Sequence, residues 1–323
     1  MMQVEQDQIT YAFLGPVGTF TEAALARYAP GASRQAMPDV VSALEAVRTG
    51  AVDRAIVPME NSVEGGVAAT LDTLASGAPL VVVAEVLVEI SFVLAARPGT
   101  ALADVRSVAT HPHAWAQCRR TMSELVPGAV HVPATSTAAA GAALAGEGAA
   151  PAGGSAPGEA GLAFQAALVA PHTAADYGLE VLADGVEDNP GAVTRFVVVA
   201  RPGVVPERTG ADKTTLLVHL PHNASGALVT MLEQFATRGV NLSRIESRPI
   251  GDALGRYAFS MDAEGHIDDA RVAAALIGLH RVCPHVVFLG SYPRADRTPT
   301  HVPPGMRDED FEAARAWVRG LRG

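Results

Sequence analysis

Apolar positions follow two different rhythms along this chain, and the change of rhythm divides it. Up to residue 200, short apolar runs alternate with stretches of helical period. Strands are expected at 10–14, 54–57, 80–86, 88–96, 107–110, 161–164, 179–184 and 197–200. Helices are expected at 22–28, 40–49, 67–74, from Pro112 onward, and at 165–177. This alternation predicts an α/β fold. Residues 201–213 are polar and contain Pro and Gly, as a linker does. Beyond them come a strand at 214–220 and an amphipathic helix at 224–238 with Leu228, Met231, Leu232 and Phe235 on one face. Strands at 240–249 and 255–263, a helix at 268–279 and a strand at 285–290 complete a βαββαβ order, which predicts a ferredoxin-like sheet backed by two helices. Residues 141–160, centred on Pro151-Ala152-Gly153-Gly154-Ser155-Ala156-Pro157-Gly158, have almost no large apolar groups and read as a disordered surface insertion. The tail is irregular from Tyr292 to Pro304, and 308–321 has the pattern of a short amphipathic helix.

The densest polar cluster lies between the 54–57 strand and the 67–74 helix, in Val57-Pro58-Met59-Glu60-Asn61-Ser62-Val63-Glu64-Gly65-Gly66. Set at a helix start, it would meet free backbone N–H groups and the positive end of a helix dipole, a combination suited to an anion. Asn61 offers donors and an acceptor, and Ser62 a hydroxyl. One capping residue needs no ligand to explain it. Four such side chains within five positions, closed by a glycine pair, point to a binding site. A second hydroxyl-bearing loop, Gly15-Pro16-Val17-Gly18-Thr19-Phe20-Thr21, precedes a helix but lacks both the P-loop ending and the dinucleotide spacing. Thr21 reads equally well as a simple N-cap. His113 and Gln117 share a helix face. No third metal ligand accompanies His111 and His113, so they read as a cap and an ordinary imidazole, while Gln117 is a candidate ligand donor. By spacing alone Thr194 is a β-branched strand residue, with Arg195 alternating to the other side.

Charge and cysteine content narrow the function classes. The chain has 34 acidic against 24 basic residues, a net charge of -10, which argues against a nucleic-acid partner. Cys118 and Cys283 are far apart with no CxxC companion, so neither a disulfide framework nor a structural zinc site is expected, and a reducing compartment fits. The amino terminus has no basic or apolar leader pattern. The most apolar run, 80–96, is interrupted by Glu85 and Glu89. No membrane segment is expected, and a cytoplasmic location is.

The motifs taken together resemble bacterial prephenate dehydratase. The Gly15 to Thr21 loop is similar to that family's amino-terminal signature, and Val57-Pro58-Met59-Glu60-Asn61-Ser62 to its second. His111-Pro112 with Gln117-Cys118 is similar to its third, and Thr194-Arg195-Phe196 to its most diagnostic tripeptide. The later region resembles an ACT regulatory domain, with Gly226-Ala227-Leu228 and Glu246-Ser247-Arg248-Pro249 matching the two segments that bind phenylalanine in the family. The resemblance spans about residues 9–292 and leaves 141–160 and the tail unexplained.

It implies a two-lobed catalytic domain like a periplasmic binding protein at 9–200, with one lobe at about 9–90 and 186–200 and the other at about 91–185. A linker at 201–213, an ACT domain at 214–292 and a tail at 293–323 follow. The implied reaction is loss of carbon dioxide and the 4-hydroxyl from prephenate, giving phenylpyruvate, with L-phenylalanine as effector in a homodimer or homotetramer. On this resemblance Thr194, Asn61 and Gln117 are the catalytic candidates, Thr194 donating to the departing oxygen. Thr19, Thr21, Glu60, Ser62, Thr110, Arg195 and Phe196 are the substrate-binding ones. Thr110 stands where relatives commonly have Ser. Glu60 and Glu64 compete for the acid role, but a negative charge would repel a dianion, so a supporting role is expected of them. No metal or organic cofactor is implied. Arogenate dehydratase, prephenate decarboxylase and a non-catalytic amino-acid sensor are the competing readings, and the intact Thr194-Arg195-Phe196 counts against the decarboxylase.

Overall fold

The structure, a computed structural model, describes residues 9–146, 164–220, 224–249 and 257–322. In chain order its elements are β1 (Thr10–Leu14), α1 (Phe20–Tyr28), β2 (Ser33–Met37), α2 (Val40–Thr49), β3 (Arg54–Asn61), β4 (Gly65–Gly66), α3 (Ala68–Leu74), β5 (Val81–Glu89) and β6 (Val93–Ala96). There follow β7 (Ser107–Thr110), α4 (Pro112–Leu125), β8 (Val130–Pro133), α5 (Thr137–Ala145), β9 (Ala166–Val169), α6 (Pro171–Asp176), β10 (Glu180–Ala183) and β11 (Val193–Ala200). The last group is β12 (Asp212–His219), α7 (Ala227–Ala236), β13 (Leu242–Pro249), β14 (Tyr257–Glu264), α8 (Ala270–Val282), β15 (His285–Pro293) and α9 (Asp308–Gly320).

Three sheets result. The first is ordered β2-β1-β3-β11-β5 with β4 beside β3, the second β10-β6-β9-β7-β8, and the third β13-β14-β12-β15. The chain leaves the first sheet after β5, builds the second, and returns with β11, which is the two-lobed connectivity expected. The third sheet is antiparallel throughout and has the ferredoxin-like order. By internal contacts the chain divides into two units. One is Met1–Ala46, Ile56–Gly65 and Leu87–Phe196; the other is Val47–Ala55, Gly66–Val86 and Val197–Gly323.

Within the first unit, the second sheet has an apolar core on each face. Leu94, Val108, Leu168, Cys118 and Met122 pack on one side, and Val93, Ala109, Ala167, Val169 and Leu144 on the other. In the second unit Leu216, Val218, Met231, Phe235, Met261, Val272 and Leu279 form the core between the third sheet and its two helices. The predicted apolar face of α7 therefore splits: Met231 and Phe235 are buried, but Leu228 is exposed.

Several expectations are corrected. The 54–57 strand continues to Asn61, and after a turn the chain adds β4 before α3 begins. Asn61 therefore does not start a helix, and the N-cap of α3 is Val67, with no side-chain bond. The two strands expected at 80–86 and 88–96 are instead β5 and β6. No breaker lies between Val86 and Val88, so β5 runs on to Glu89, and the strands separate at 90–92, where Ile90 N–H donates to Ala192 O at 2.7 Å. β2 was not expected, because four of its five side chains are exposed and supply no apolar signal; its register on β1 is parallel. β8, parallel to β7, is similarly half-exposed. The helix expected at 165–177 is a strand and a short helix. Ala166–Val169 is buried on both faces, so its pattern has no period to distinguish strand from helix. The expected insertion at 141–160 begins too early: α5 runs to Ala145, and 147–160 lie outside the described residues, as do 161–163 and the start of the 255–263 strand. β12 begins at Asp212, inside the expected linker, and β15 runs on to Pro293.

Candidate active site

The end of β3 and the start of β11 meet through side chains. Asn61 Nδ2 donates to Thr194 Oγ1 at 2.8 Å, across 133 positions of sequence. The amide's orientation is set by its other end: Asn61 Oδ1 accepts from Val63 N–H at 2.8 Å and Glu64 N–H at 3.2 Å. Two donors on that side leave the NH₂ group for Thr194. Thr194 is buried. Its oxygen takes the Asn61 hydrogen, so its own O–H must find an acceptor elsewhere. Ser62 ties the same corner together, accepting from Val193 N–H with its hydroxyl at 2.9 Å while its own N–H donates to Val193 O at 2.9 Å.

Glu64 extends this corner to the second sheet. Its Oε1 accepts from Gln117 Nε2 at 3.0 Å, and its Oε2 pairs with His113 Nδ1. Gln117 and His113 lie on one face of α4, as their spacing predicts. Thr194, Asn61, Glu64 and Gln117 are thus joined in one hydrogen-bonded series, which unites the three catalytic candidates through a glutamate. His111 caps α4 by accepting from His113 N–H with Nδ1 at 3.2 Å. Burial, then the neighbouring His113, pushes the His111 imidazole below the usual histidine range, which keeps it neutral for that bond.

The remaining candidates divide. Glu60 and Arg195 alternate away from Asn61 and Thr194 and face each other at 3.8 Å, Arg195 being 5% exposed. Phe196 is buried. Thr19 caps α1: its hydroxyl donates to Leu14 O at 3.0 Å and accepts from Glu22 N–H at 3.3 Å. Thr21 is buried beside it. Thr110 is not brought to the Asn61 corner by any hydrogen bond; fully buried, it donates to Leu168 O at 2.9 Å within the second sheet. Sequence reasoning missed the pair at the start of α6. Thr173 Oγ1 and His172 Nε2 both bond Gly18 O, at 2.8 and 3.1 Å, joining the glycine loop to that helix. Nothing in the local pattern of Pro171-His172-Thr173 announces such a contact. Among the described residues no group of three or more His, Cys, Asp or Glu could hold a metal ion, and no helix is long and apolar enough to cross a membrane.

In the other unit, Gly226 caps α7 with φ +86°, a left-handed conformation that glycine adopts without strain. Ala227 and Leu228 open that helix. On β13, Glu246 lies 3.9 Å from both Arg244 and Arg248, Ser247 is exposed, and Pro249 ends the strand. Arg248 forks onto Asp72 of α3 at 3.1 and 2.7 Å, and this bond, above all, raises its guanidinium pKa. Beside it runs a buried network that the sequence did not reveal. Arg244 donates to Asp262 and Ser260, Thr215 donates to Asp262, and Thr215 also bonds the Tyr292 hydroxyl.

Known proteins resemble the chain closely. A family model described as "Prephenate dehydratase" matches residues 11–203, and one described as "ACT domain" matches residues 214–281. A prephenate dehydratase of Amycolatopsis methanolica is 45% identical over 314 residues, covering 96% of this chain and 97% of the relative. A prephenate dehydratase from Arthrobacter aurescens, solved in complex with L-Phe, is 54% identical with a TM-score of 0.88, covering 98% of this chain and 100% of that one. A protein described as a quorum-quenching acylase shares the fold at 31% identity and a TM-score of 0.72, covering 88% and 98%. On the length and identity of these matches, the chain belongs to the prephenate dehydratase family and carries an ACT domain after the dehydratase region.

Proposed function

We propose that the chain converts prephenate to phenylpyruvate at the Asn61–Thr194 corner and that L-phenylalanine regulates it through the ACT domain. The observation that carries the site reading is the 2.8 Å bond from Asn61 Nδ2 to Thr194 Oγ1. Prephenate loses its ring carboxylate as carbon dioxide while the C4–O bond breaks; the electron pair left by the carboxylate makes the ring aromatic. The oxygen departs with its bonding pair and needs a proton to leave as water. A threonine hydroxyl is a weak acid, but one that already accepts from an amide is polarised and aimed outward as a donor. Assistance of this kind is worth about 10²–10⁴-fold. Gln117, fixed by Glu64, and the amides that open α1 are the groups we assign to holding the dianion. Phe20 and Thr21 open α1, where the first amides of a helix lack intrahelical partners, an arrangement that suits a carboxylate. Positioning by such groups can contribute about 7–11 kcal/mol. Thr110, with its hydroxyl held by Leu168 O, is assigned to fixing β7 beside β9 inside the second sheet.

We assign 9–200 to catalysis and 214–292 to regulation, divisions supported by the family matches at 11–203 and 214–281. Phenylalanine binding is supported by the L-Phe complex of the Arthrobacter relative, and we assign it to the Gly226–Leu228 and Glu246–Pro249 segments, between copies of the chain in a dimer or tetramer. A cytoplasmic location fits such a biosynthetic role. The test is to follow phenylpyruvate formation from prephenate by the purified full chain, with and without L-phenylalanine, beside arogenate as the alternative substrate. Thr194→Ala should lose at least about 10²-fold in kcat, and Glu64→Gln about ten-fold or less. A near-normal Thr194→Ala enzyme removes the assignment.

A further inference from the structure

Two stretches carry the chain between its first two sheets: Ile90 to Phe92 on the way out and 184–192 on the way back. They are bonded to each other. Ile90 N–H donates to Ala192 O at 2.7 Å, Val186 N–H to Phe92 O at 3.2 Å, and Phe92 N–H to Glu187 Oε2 at 2.9 Å. Asp188 sits in the returning stretch and reaches into the middle of α4. Its Oδ2 accepts from Arg120 N–H, and its Oδ1 from Thr121 N–H and the Thr121 hydroxyl, each at 2.9 Å. Its own N–H donates to Gln117 O at 2.7 Å, and Arg120 Nη2 donates to Asp188 O at 3.2 Å.

These are unusual partners for a residue outside the helix. In an α-helix the amides of residues 120 and 121 face the carbonyls of 116 and 117. Asp188 engages both amides and one of those carbonyls, within the turn that begins at Gln117. Insertion into the ladder is a known way of setting a helix's local course. A capping carboxylate belongs at a helix end, so this one serves some purpose other than satisfying terminal groups. Burial pushes the Asp188 carboxyl up, but the Arg120 and Thr121 amides and the Thr121 hydroxyl more than offset it and hold the group below the usual aspartate range. Thr194 follows six positions later on the same stretch of chain.

We propose that Asp188 is a positioning residue for the dehydration: it holds the Gln117 turn of α4 against the segment that leads to Thr194, and so sets the place of the Gln117 carboxamide. The proposal rests on the roles given to Gln117 and Thr194 above. Glu64 holds the Gln117 carboxamide from the side-chain end, and Asp188 holds its carbonyl from the backbone end. An asparagine could not replace the carboxylate here, since its NH₂ would turn one donor toward another.

The experiment is a set of cycles on the full chain, with kcat/KM for prephenate as readout and thermal unfolding as control. Asp188→Asn should lower kcat/KM about 10²-fold, the cost of misplacing a group by roughly an ångström. In a Gln117→Ala background the same change should cost less than about three-fold, because the group through which it acts is gone. Thr121→Val, which removes one of the three acceptor bonds, should show a smaller loss with the same dependence on Gln117, and serves if Asp188→Asn folds poorly. If Gln117→Ala alone keeps the parent's turnover, the reading of the site fails and this proposal with it. If Gln117→Ala is slow but Asp188→Asn or Thr121→Val costs an equal factor with and without Gln117, the Asp188 proposal alone is overturned. Normal turnover in Asp188→Asn overturns it too.

Discussion

Asn61→Asp is the most informative single change, because it alters one atom and reverses one hydrogen bond. The new side chain keeps an oxygen where Asn61 Oδ1 accepts from Val63 and Glu64 N–H, so the turn after β3 should survive. At the other end, 2.8 Å from Thr194 Oγ1, a donor becomes an acceptor. Two oxygens at that distance need a proton between them, and the only one at hand is the threonine's. Thr194 would turn its O–H from the departing hydroxyl to the carboxylate. The lost assistance is about 10²–10⁴-fold, or about 2.7–5.5 kcal/mol. The added charge also faces a dianion; at an effective dielectric of about 20 and a separation of about 5 Å, each substrate charge is opposed by ~3 kcal/mol before screening. So kcat should fall at least about 10²-fold and KM should rise, whereas Thr194→Ala should lower kcat alone. Asn61→Ala is the control, removing the donor without adding charge or a competing acceptor. Steady-state rates of phenylpyruvate formation decide the order. The near-isosteric aspartate should be worse than alanine. The opposite order, or an aspartate variant within about three-fold of the parent, refutes it.

Other regions yield further expectations. Gly290 has φ +129°, and a Cβ there would lie 2.1 Å from Val82 O, so Gly290→Ala should cost about 3 kcal/mol or more; an unchanged urea midpoint contradicts this. Asp72→Asn releases Arg248 from its fork at 3.1 and 2.7 Å, and the freed guanidinium should serve an effector carboxylate better. With Asp72 largely exposed the pair is worth at most about 1 kcal/mol, so half-maximal L-phenylalanine should drop by up to about five-fold, and an unchanged response curve counts against a role for Arg248. His111, whose pKa is pushed down by burial, should make the fold acid-sensitive. Above about pH 6.5 it is neutral folded or unfolded and its contribution is complete; below that the unfolded chain takes the proton first and stability is lost. Thermal unfolding at pH 7.5 and 5.5 should show His111→Asn less acid-sensitive than the parent, and equal losses would argue otherwise.

The elements legible in the sequence are those whose one buried face imposes a period. β1 and α2 lie where the pattern puts them, and the βαββαβ order of the last sheet is complete although its ends shift by a few residues. The failures have opposite causes. β2 has no buried stripe to read, since Ser33, Arg34, Gln35 and Ala36 are all exposed and only pairing with β1 makes them a strand. β9 has the reverse problem: Ala166, Ala167, Leu168 and Val169 are buried on both faces, and a uniform apolar run carries no period at all. The run from Val81 to Glu89 reads as part of two strands divided after Val86, yet nothing breaks it there, and Glu85 within it is buried and paired with Lys213 at 3.1 Å, a partner far away in sequence.

The site was legible in its residues and not in its setting, and the reason lies in asparagine itself. Accepting from the N–H groups two and three positions on is what an Asn does at a helix start and equally in a turn beyond a strand. Asn61 makes those two bonds, so the local signal was real, but β4 pairing back on β3 makes it a turn. The consequence for chemistry is larger than the change of label. A helix-capping Asn would send its NH₂ wherever solvent or ligand offered an acceptor. Here the strand aims it at Thr194, a geometry that fits directing a hydroxyl better than holding an anion. The same distance in sequence hides the other links: Glu64 to Gln117 spans 53 positions, and Asp188 to Thr121 spans 67. The first contact joins residues legible by their own chemistry, and the second joins two that no local pattern singles out. Asn61, Glu64, Gln117 and Thr194 were therefore visible from the start, while the direction in which each donates or accepts depends on sheets that bring distant turns together.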